Sequence, residues 1–387
     1  MTTKPTPRFM WLAAVALISV VSLAAIEVAF LLGQVLLPDV VNPRRAIARA
    51  IAKVDPAKFD RFSAAVVPPM MWDHLPNSTG TTKSCLGSVF ASHYDINGTR
   101  IYAGYDPASA EVLLVGDSYT HGDEVADDET VAAHLFAKHG IRAANLGVPA
   151  YSPLQAVLKA KQSLGNFPQA RTIVLGIMYE NIRRTVNSYV IAINPDVGGI
   201  FLIRPYVHAD SITLIPDSAY EGLDGFQNYA LRSLNADFWR PEDLEFPFTM
   251  SLLRALGSTS FRLRWGARAL KFFNRQYELD FYDPTQRDAL SLVVQEFLSW
   301  AKQSNITPHV ILFPQNKYDV QSSDAWIGHF QQRYGRNDRI RSIPTKGIDW
   351  SRFNQRPNGD CHPSSYGYSM IASGYAAIID GFGDGRR

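Results

Sequence analysis

Four short segments carry residues that could move an acyl group if the fold brought them together. The first is Gly116-Asp-Ser-Tyr-Thr-His-Gly122, directly after the apolar run Glu111-Val-Leu-Leu-Val115. A serine behind a buried strand, beside Gly116 and Asp117, can sit on a tight strand-to-helix turn. Its hydroxyl then stands in the open and its own N–H can bind an anion. Serine needs a base before it becomes a nucleophile, and on its own Ser118 is equally an ordinary polar residue of a turn. The segment is neither a Gly-x-Ser-x-Gly elbow nor a Walker phosphate loop.

The second segment is Asn145-Leu-Gly-Val-Pro-Ala-Tyr-Ser-Pro153, where Gly147 lets its backbone approach a substrate closely and present an N–H, or is a plain loop glycine. The third is Ile177-Met-Tyr-Glu-Asn-Ile-Arg-Arg184, in which Asn181 offers an amide donor. The fourth is Asn358-Gly-Asp-Cys-His-Pro-Ser-Ser-Tyr-Gly-Tyr-Ser369. A general base needs a pKa near neutrality and a second group to orient it, which suits His362 with Asp360 two residues earlier. His121, just past the serine, is either a substrate contact or a polar residue of a helix start. The histidines show no metal-ligand spacing such as His-Glu-x-x-His, so neither metal nor cofactor is expected.

These segments need a scaffold that gathers them. From Glu111 onward, short apolar runs alternate with helical stretches. The runs are Glu111–Val115, Ala143–Leu146, Thr172–Gly176 and His309–Phe313, and the helical stretches are Asp128–Lys138, Pro153–Leu164, Arg287–Gln303 and Ser364–Ile379. Such alternation predicts an α/β fold, a three-layer α/β/α sandwich around a mostly parallel sheet. In open sheets of this kind ligands bind beyond the carboxyl ends of the strands, where three of the four segments begin. Between about 186 and 283 the alternation is lost in a proline- and aromatic-rich stretch, read as an insertion in which a substrate-facing cap could sit. Residues 38–108 read as a connector, with a basic helix from Pro43 to Val54 and no announced chemistry.

Together the four blocks resemble the SGNH (GDSL-like) hydrolase superfamily, over roughly Glu111 to the C-terminus less the insertion. Gly116-Asp-Ser-Tyr stands for its first block, Asn145-Leu-Gly147 for its second, the segment ending in Asn181 for its third and Asp360-Cys-His362-Pro for its last. The resemblance implies Ser118 as nucleophile and His362 as base supported by Asp360. It also implies an oxyanion hole made by the Ser118 N–H, the Gly147 N–H and the Asn181 side chain. The third block departs from the family's usual Gly-x-Asn-Asp: here it is Tyr179-Glu-Asn-Ile, so either Asn181 or Glu180 occupies the amide position. In the last block Asp360 stands two residues before His362 where three is common.

The rest of the chain bears on where such chemistry would take place. Of 387 residues, 46% are hydrophobic and 19% charged, which excludes a disordered chain, and 38 Lys and Arg against 36 Asp and Glu leave no basic excess for nucleic acid. Residues 1–8 are a basic N-terminus, and 9–37 form an apolar run interrupted only by Glu27, long enough for a transmembrane signal anchor. Arg44, Arg45, Arg49 and Lys53 after the run argue for a cytoplasmic C-terminal side. Signal-like starts nevertheless translocate long domains largely regardless of charge, so the expectation is a single-pass protein of the cytoplasmic membrane with residues 109–387 on the extracytoplasmic, periplasmic side. Cys85 and Cys361 are the two cysteines. Paired, they would staple the connector to the loop of His362; unpaired, they are ordinary buried thiols.

These observations point to a membrane-anchored serine esterase or O-acyltransferase acting on small acyl esters, acetyl above all, of an extracytoplasmic glycan, with room for a membrane-embedded acyl-transfer partner. Two alternatives remain: an SGNH-fold protein that binds a polysaccharide or a membrane partner without turnover, and a lipid-ester hydrolase.

Overall fold

The computed structural model describes residues 7–193, 199–271, 278–317, 320–334, 339–356 and 361–380. Five strands make the central sheet: β1 (Val112–Val115), β2 (Ala143–Asn145), β3 (Thr172–Ile177), β4 (Thr307–Leu312) and β5 (Ile340–Ser342). The longer helices, in chain order, are α1 (Pro7–Leu36), α2 (Pro43–Ala52), α3 (Val131–His139), α4 (Pro153–Ser163), α5 (Gly222–Ala236), α6 (Phe248–Gly257), α7 (Thr259–Lys271), α8 (Pro284–Gln303), α9 (Val320–Tyr334) and α10 (Ser365–Asp380). The fold is therefore α/β, as the strand–helix alternation predicts.

The strands run in the order β2-β1-β3-β4-β5 and pair in parallel throughout, with Leu113 opposite Ile173 and Leu175 opposite Val310. Alternate side chains of each strand serve opposite faces. Leu113, Val115, Ile173, Leu175 and Val310 join a core with Leu154 of α4, Val294 of α8 and Trp326 of α9. Val112, Leu114, Val174 and Ile311 join another with Leu135 of α3 and Ile371 and Tyr375 of α10. Strands buried on both faces read as near-continuous apolar runs, which is why four of the five stand out in the sequence. The fifth, β5, is a three-residue edge strand whose central Arg341 is exposed, and it has no apolar run to announce it.

The helix starts have local causes. Ser152 and Gln155 form a capping box at α4, with Pro153 at its first position. Asp283 accepts from the Gln286 N–H at 3.0 Å ahead of Pro284, which starts α8 three residues before Arg287, where periodicity places it. A third core joins Ile47 and Ile51 of α2 and Phe59 of the helix Pro56–Ser63 to Tyr189, Ile203, Phe226 and Leu234. The stretch before the sheet and the stretch after β3 thus close on one another. Lys159 of α4, itself buried, pairs with Asp73 at 2.5 Å and ties the first of these stretches to the sheet body.

Candidate active site

The strand order reverses direction between β1 and β3, and the crevice beyond their carboxyl ends is where open α/β sheets bind ligands. Ser118 follows β1 there as the first residue of the helical turn Ser118–His121, and Asn181 follows β3. Gly116 is required by packing: a Cβ on it would lie 2.1 Å from the Thr120 hydroxyl oxygen. Gly147 presses against the same turn, where a Cβ would meet the His121 nitrogen at 2.3 Å. Any side chain at either position would push the serine turn out of place.

Asp117 caps this turn. Its side chain accepts from the Tyr119 N–H at 3.0 Å, from Asn181 Nδ2 at 2.7 Å and from Arg184 at 3.2 Å. Burial raises its pKa against the pull of Arg184 and Asn181. The Asn181 amide is buried and its oxygen accepts from the Met178 N–H at 2.9 Å, while the Glu180 carboxylate accepts from Arg184 at 2.7 Å. Asn181 is thus the third-block residue joined to the serine turn, and Glu180 is held in an ion pair. The Gly147 N–H donates to Asn145 Oδ1 at 3.1 Å, so two of the three expected donors, Gly147 and Asn181, already have acceptors within the protein. Asn181 has a second amide hydrogen beyond the one given to Asp117.

His362 Nδ1 lies 2.9 Å from Glu124 Oε1, and its Nε2 lies 3.9 Å from Asp123 Oδ2. The ring sits over the serine turn: its centroid is 5.6 Å from that of Tyr119, and the Asp123 N–H donates to the Ser118 carbonyl at 3.0 Å. Asp360, the acid expected for this histidine, lies outside the described residues. Glu124 is the carboxylate on Nδ1 among those described, and nothing in the sequence singles it out. Its other oxygen, Oε2, accepts from the Cys85 N–H at 3.1 Å, and its carbonyl accepts from Gln355 at 3.1 Å. Glu124 has φ of 67°, in the left-handed region that a side-chain-bearing residue enters only when its surroundings force it.

The force is visible. Arg100, fully buried, donates to Asp127 Oδ1 at 2.8 Å and to the carbonyls of His121, Gly122 and Val125 at 3.1, 2.5 and 2.8 Å. It clamps the whole loop that carries Asp123 and Glu124. Cys85 and Cys361 are joined in a disulfide, with Cα atoms 6.0 Å apart. The bond fixes the residue beside His362 to the residue whose N–H holds Glu124.

The electrostatics favour a charged imidazole at His362. Burial lowers its pKa, but the hydrogen bond to Glu124 and the charges of Asp123, Glu124 and Asp117 outweigh it and raise the pKa above its ordinary value. Glu124 is opposed by burial and lowered by the same hydrogen bond and by Cys85. His121 behaves in the opposite way. It is buried between Asp123, 2.5 Å from its Nδ1, and the Tyr94 hydroxyl, 2.9 Å from its Nε2, and burial holds its pKa down. His74 stacks on Tyr94 and on His121, at centroid distances of 4.0 and 4.8 Å. His121 is therefore part of the packing beneath the turn and no substrate contact. Residues 38–108, which announce no chemistry in the sequence, supply this floor through His74, Tyr94 and Arg100, and a wall through Cys85.

No family model and no curated protein matches the sequence. Among solved structures it is similar to a G-D-S-L family protein from Desulfitobacterium hafniense DCB-2, at 11% identity over 70% of this chain and 99% of that one, with a TM-score of 0.30. At that score the likeness carries no argument, and the chemistry of the site rests on its own residues.

Proposed function

We propose that this protein is a membrane-anchored serine esterase or O-acyltransferase of the SGNH type that moves a small acyl group, acetyl above all, on or off an extracytoplasmic glycan. The observation that carries the reading is the carboxylate–imidazole pair of Glu124 and His362 over the Ser118 turn, in the crevice between β1 and β3. A carboxylate at Nδ1 accepts a hydrogen bond from the Nδ1–H, which keeps the proton on that nitrogen and leaves the Nε2 lone pair as the base. His362 takes the Ser118 proton as Oγ attacks the ester carbonyl, then returns it to the departing alkoxide. Water or a sugar hydroxyl, deprotonated by the same ring, releases the acyl group from Ser118.

The oxyanion of each tetrahedral intermediate would be met by the Ser118 N–H and the second amide hydrogen of Asn181. The Gly147 N–H would join them on turning away from Asn145. General-base help of this kind is worth about 10²–10⁴-fold and each oxyanion donor about 3–4 kcal/mol. Asp360 stays a proposed support for His362. The mechanism calls for no cofactor.

Placement on a membrane is supported by α1, where Met10–Leu36 is long and apolar enough to cross one, and the Cys85–Cys361 bond suits the oxidising side. The glycan is inferred from that placement.

One observation favours a second reading, a polysaccharide-binding protein without turnover: the Gly147 N–H and the Asn181 amide are both committed to protein acceptors. Fluorophosphonate labelling of the intact protein separates the two. An esterase labels at Ser118, with the label lost in His362→Ala, and Ser118→Ala lowers ester turnover by about 10⁴–10⁶-fold. A folded protein that takes up no label and binds oligosaccharide equally well as Ser118→Ala is the binder.

A further inference from the structure

The apolar helix α1 is clasped by the body it leads into. Glu27, the one charge of the apolar run, accepts from the backbone N–H groups of Phe248 and Thr249 at 2.7 Å each and from the Thr249 hydroxyl. A charge that looks misplaced in a membrane span therefore caps the first turn of α6. Phe30 stacks on Phe248 with centroids 5.7 Å apart, and Gln34 donates to the Leu244 carbonyl at 3.1 Å.

Helix α6 reads Phe-Thr-Met-Ser-Leu-Leu-Arg-Ala-Leu-Gly and has one charge, Arg254. It buries Phe248 and Ala255 against Val41, Leu244 and Phe261. Its other side leaves Met250, Leu253 and Leu256 exposed by 54%, 61% and 47%, with Phe246 just before it at 74% and Trp265 of α7 at 54%. A helix apolar on both sides belongs in a protein core or in lipid, and no described residue covers the second side.

We propose that this outer side of α6, with Phe246 and Trp265, lies in the boundary between headgroups and acyl chains of the bilayer that α1 crosses, as a second lipid contact. The proposal rests on the reading of α1 as a membrane span. The depths agree: Met10 to Glu27 rises about 26 Å along a helix, so Glu27 and the α6 terminus it caps sit near the far edge of a hydrocarbon core of about 30 Å. The chemistry agrees as well. Tryptophan is an interface residue, and Arg254, Arg262 and Arg268 stand exposed around the patch, the Arg268 guanidinium 5.6 Å from the Trp265 ring. Arginines so placed meet anionic headgroups while the leucines enter the acyl region.

The test uses the full chain, disulfide intact, in nanodiscs of phosphatidylcholine with phosphatidylglycerol. Spin labels go on single introduced cysteines at Met250→Cys, Leu253→Cys and Leu256→Cys, with Leu17→Cys as the reference in α1 and Leu231→Cys of α5 as the reference in water. Each is read by its collisions with oxygen and with a water-soluble nickel chelate. The α6 labels are expected to be more open to oxygen and better shielded from the chelate than Leu231→Cys, without reaching the mid-bilayer values of Leu17→Cys. Chelate access at all three α6 positions with Leu17→Cys still shielded overturns the lipid contact and leaves the span standing. Shielding from both reagents means that protein, a second copy included, covers the face, and it overturns the proposal too. Chelate access at Leu17→Cys removes the span and the contact together.

Discussion

At His362 two opposing effects decide a proton. Burial works against the imidazolium, and the carboxylates of Glu124 and Asp123 win because one of them holds Nδ1 directly. With His362 as the proposed base, a raised pKa means that the ring is neutral only above its ordinary value, so kcat/KM should climb with pH through that raised value and not near 6.5. Glu124→Gln removes the charge that favours the imidazolium. The acid limb should therefore move to lower pH even as the rate falls by about 10²–10⁴-fold, since an amide no longer enforces the Nδ1–H tautomer. A pH–rate profile of the variant checks both, and a purely structural role would lower the rate without moving the limb. Stability carries the opposite sign: the contribution of the charged His362 pair is complete below the unfolded pKa and is lost as pH rises through the folded one. Ser118, Gly147 and Asn181 stand out in the sequence because each follows a buried run, and His362 because it stands just before a helix start. Glu124 is not. In Gly122-Asp-Glu-Val it looks like any solvated acid, and only the left-handed backbone and the incoming His362 set it apart.

At the scale of elements, the loop from His121 to Asp127 is the part that must not drift, and Arg100 holds it from a stretch that precedes the sheet. Removing the guanidinium takes the Arg100 donor from the carbonyls of Gly122 and Val125 in a buried place, while Asp127 keeps His93 and the His121 carbonyl keeps Asn145. Arg100→Met should cost about 3–5 kcal/mol, read as a drop in the urea midpoint at unchanged m-value. Four of the five sheet strands are readable because parallel strands covered on both faces are apolar almost throughout. The edge strand Ile340–Ser342 is not, having one buried apolar residue in three. Nor does periodicity show that the stretch before the sheet shares a core with the stretch after β3, because that contact pairs residues as distant as Ile51 and Phe226.

At the scale of the whole molecule, one covalent bond links positions 276 residues apart in the chain and ends beside His362. Reduction, or Cys85→Ser with Cys361→Ser, should lower stability by about 2–5 kcal/mol in thermal or urea unfolding. It should also weaken ester turnover at temperatures where the protein stays folded, because the Cys85 N–H and the His362 loop lose their common anchor. The clasp of α1 by Glu27, Phe248 and Thr249 has a different consequence. An enzyme on a slack leash sweeps a hemisphere and finds its substrates by diffusion through that volume. Here the helix enters the body without slack, so with α1 in a bilayer the crevice between β1 and β3 rides at a fixed altitude. For the proposed esterase, which esters it meets would then be decided by how far they stand above the membrane, a selection by height that no residue in the crevice has to make.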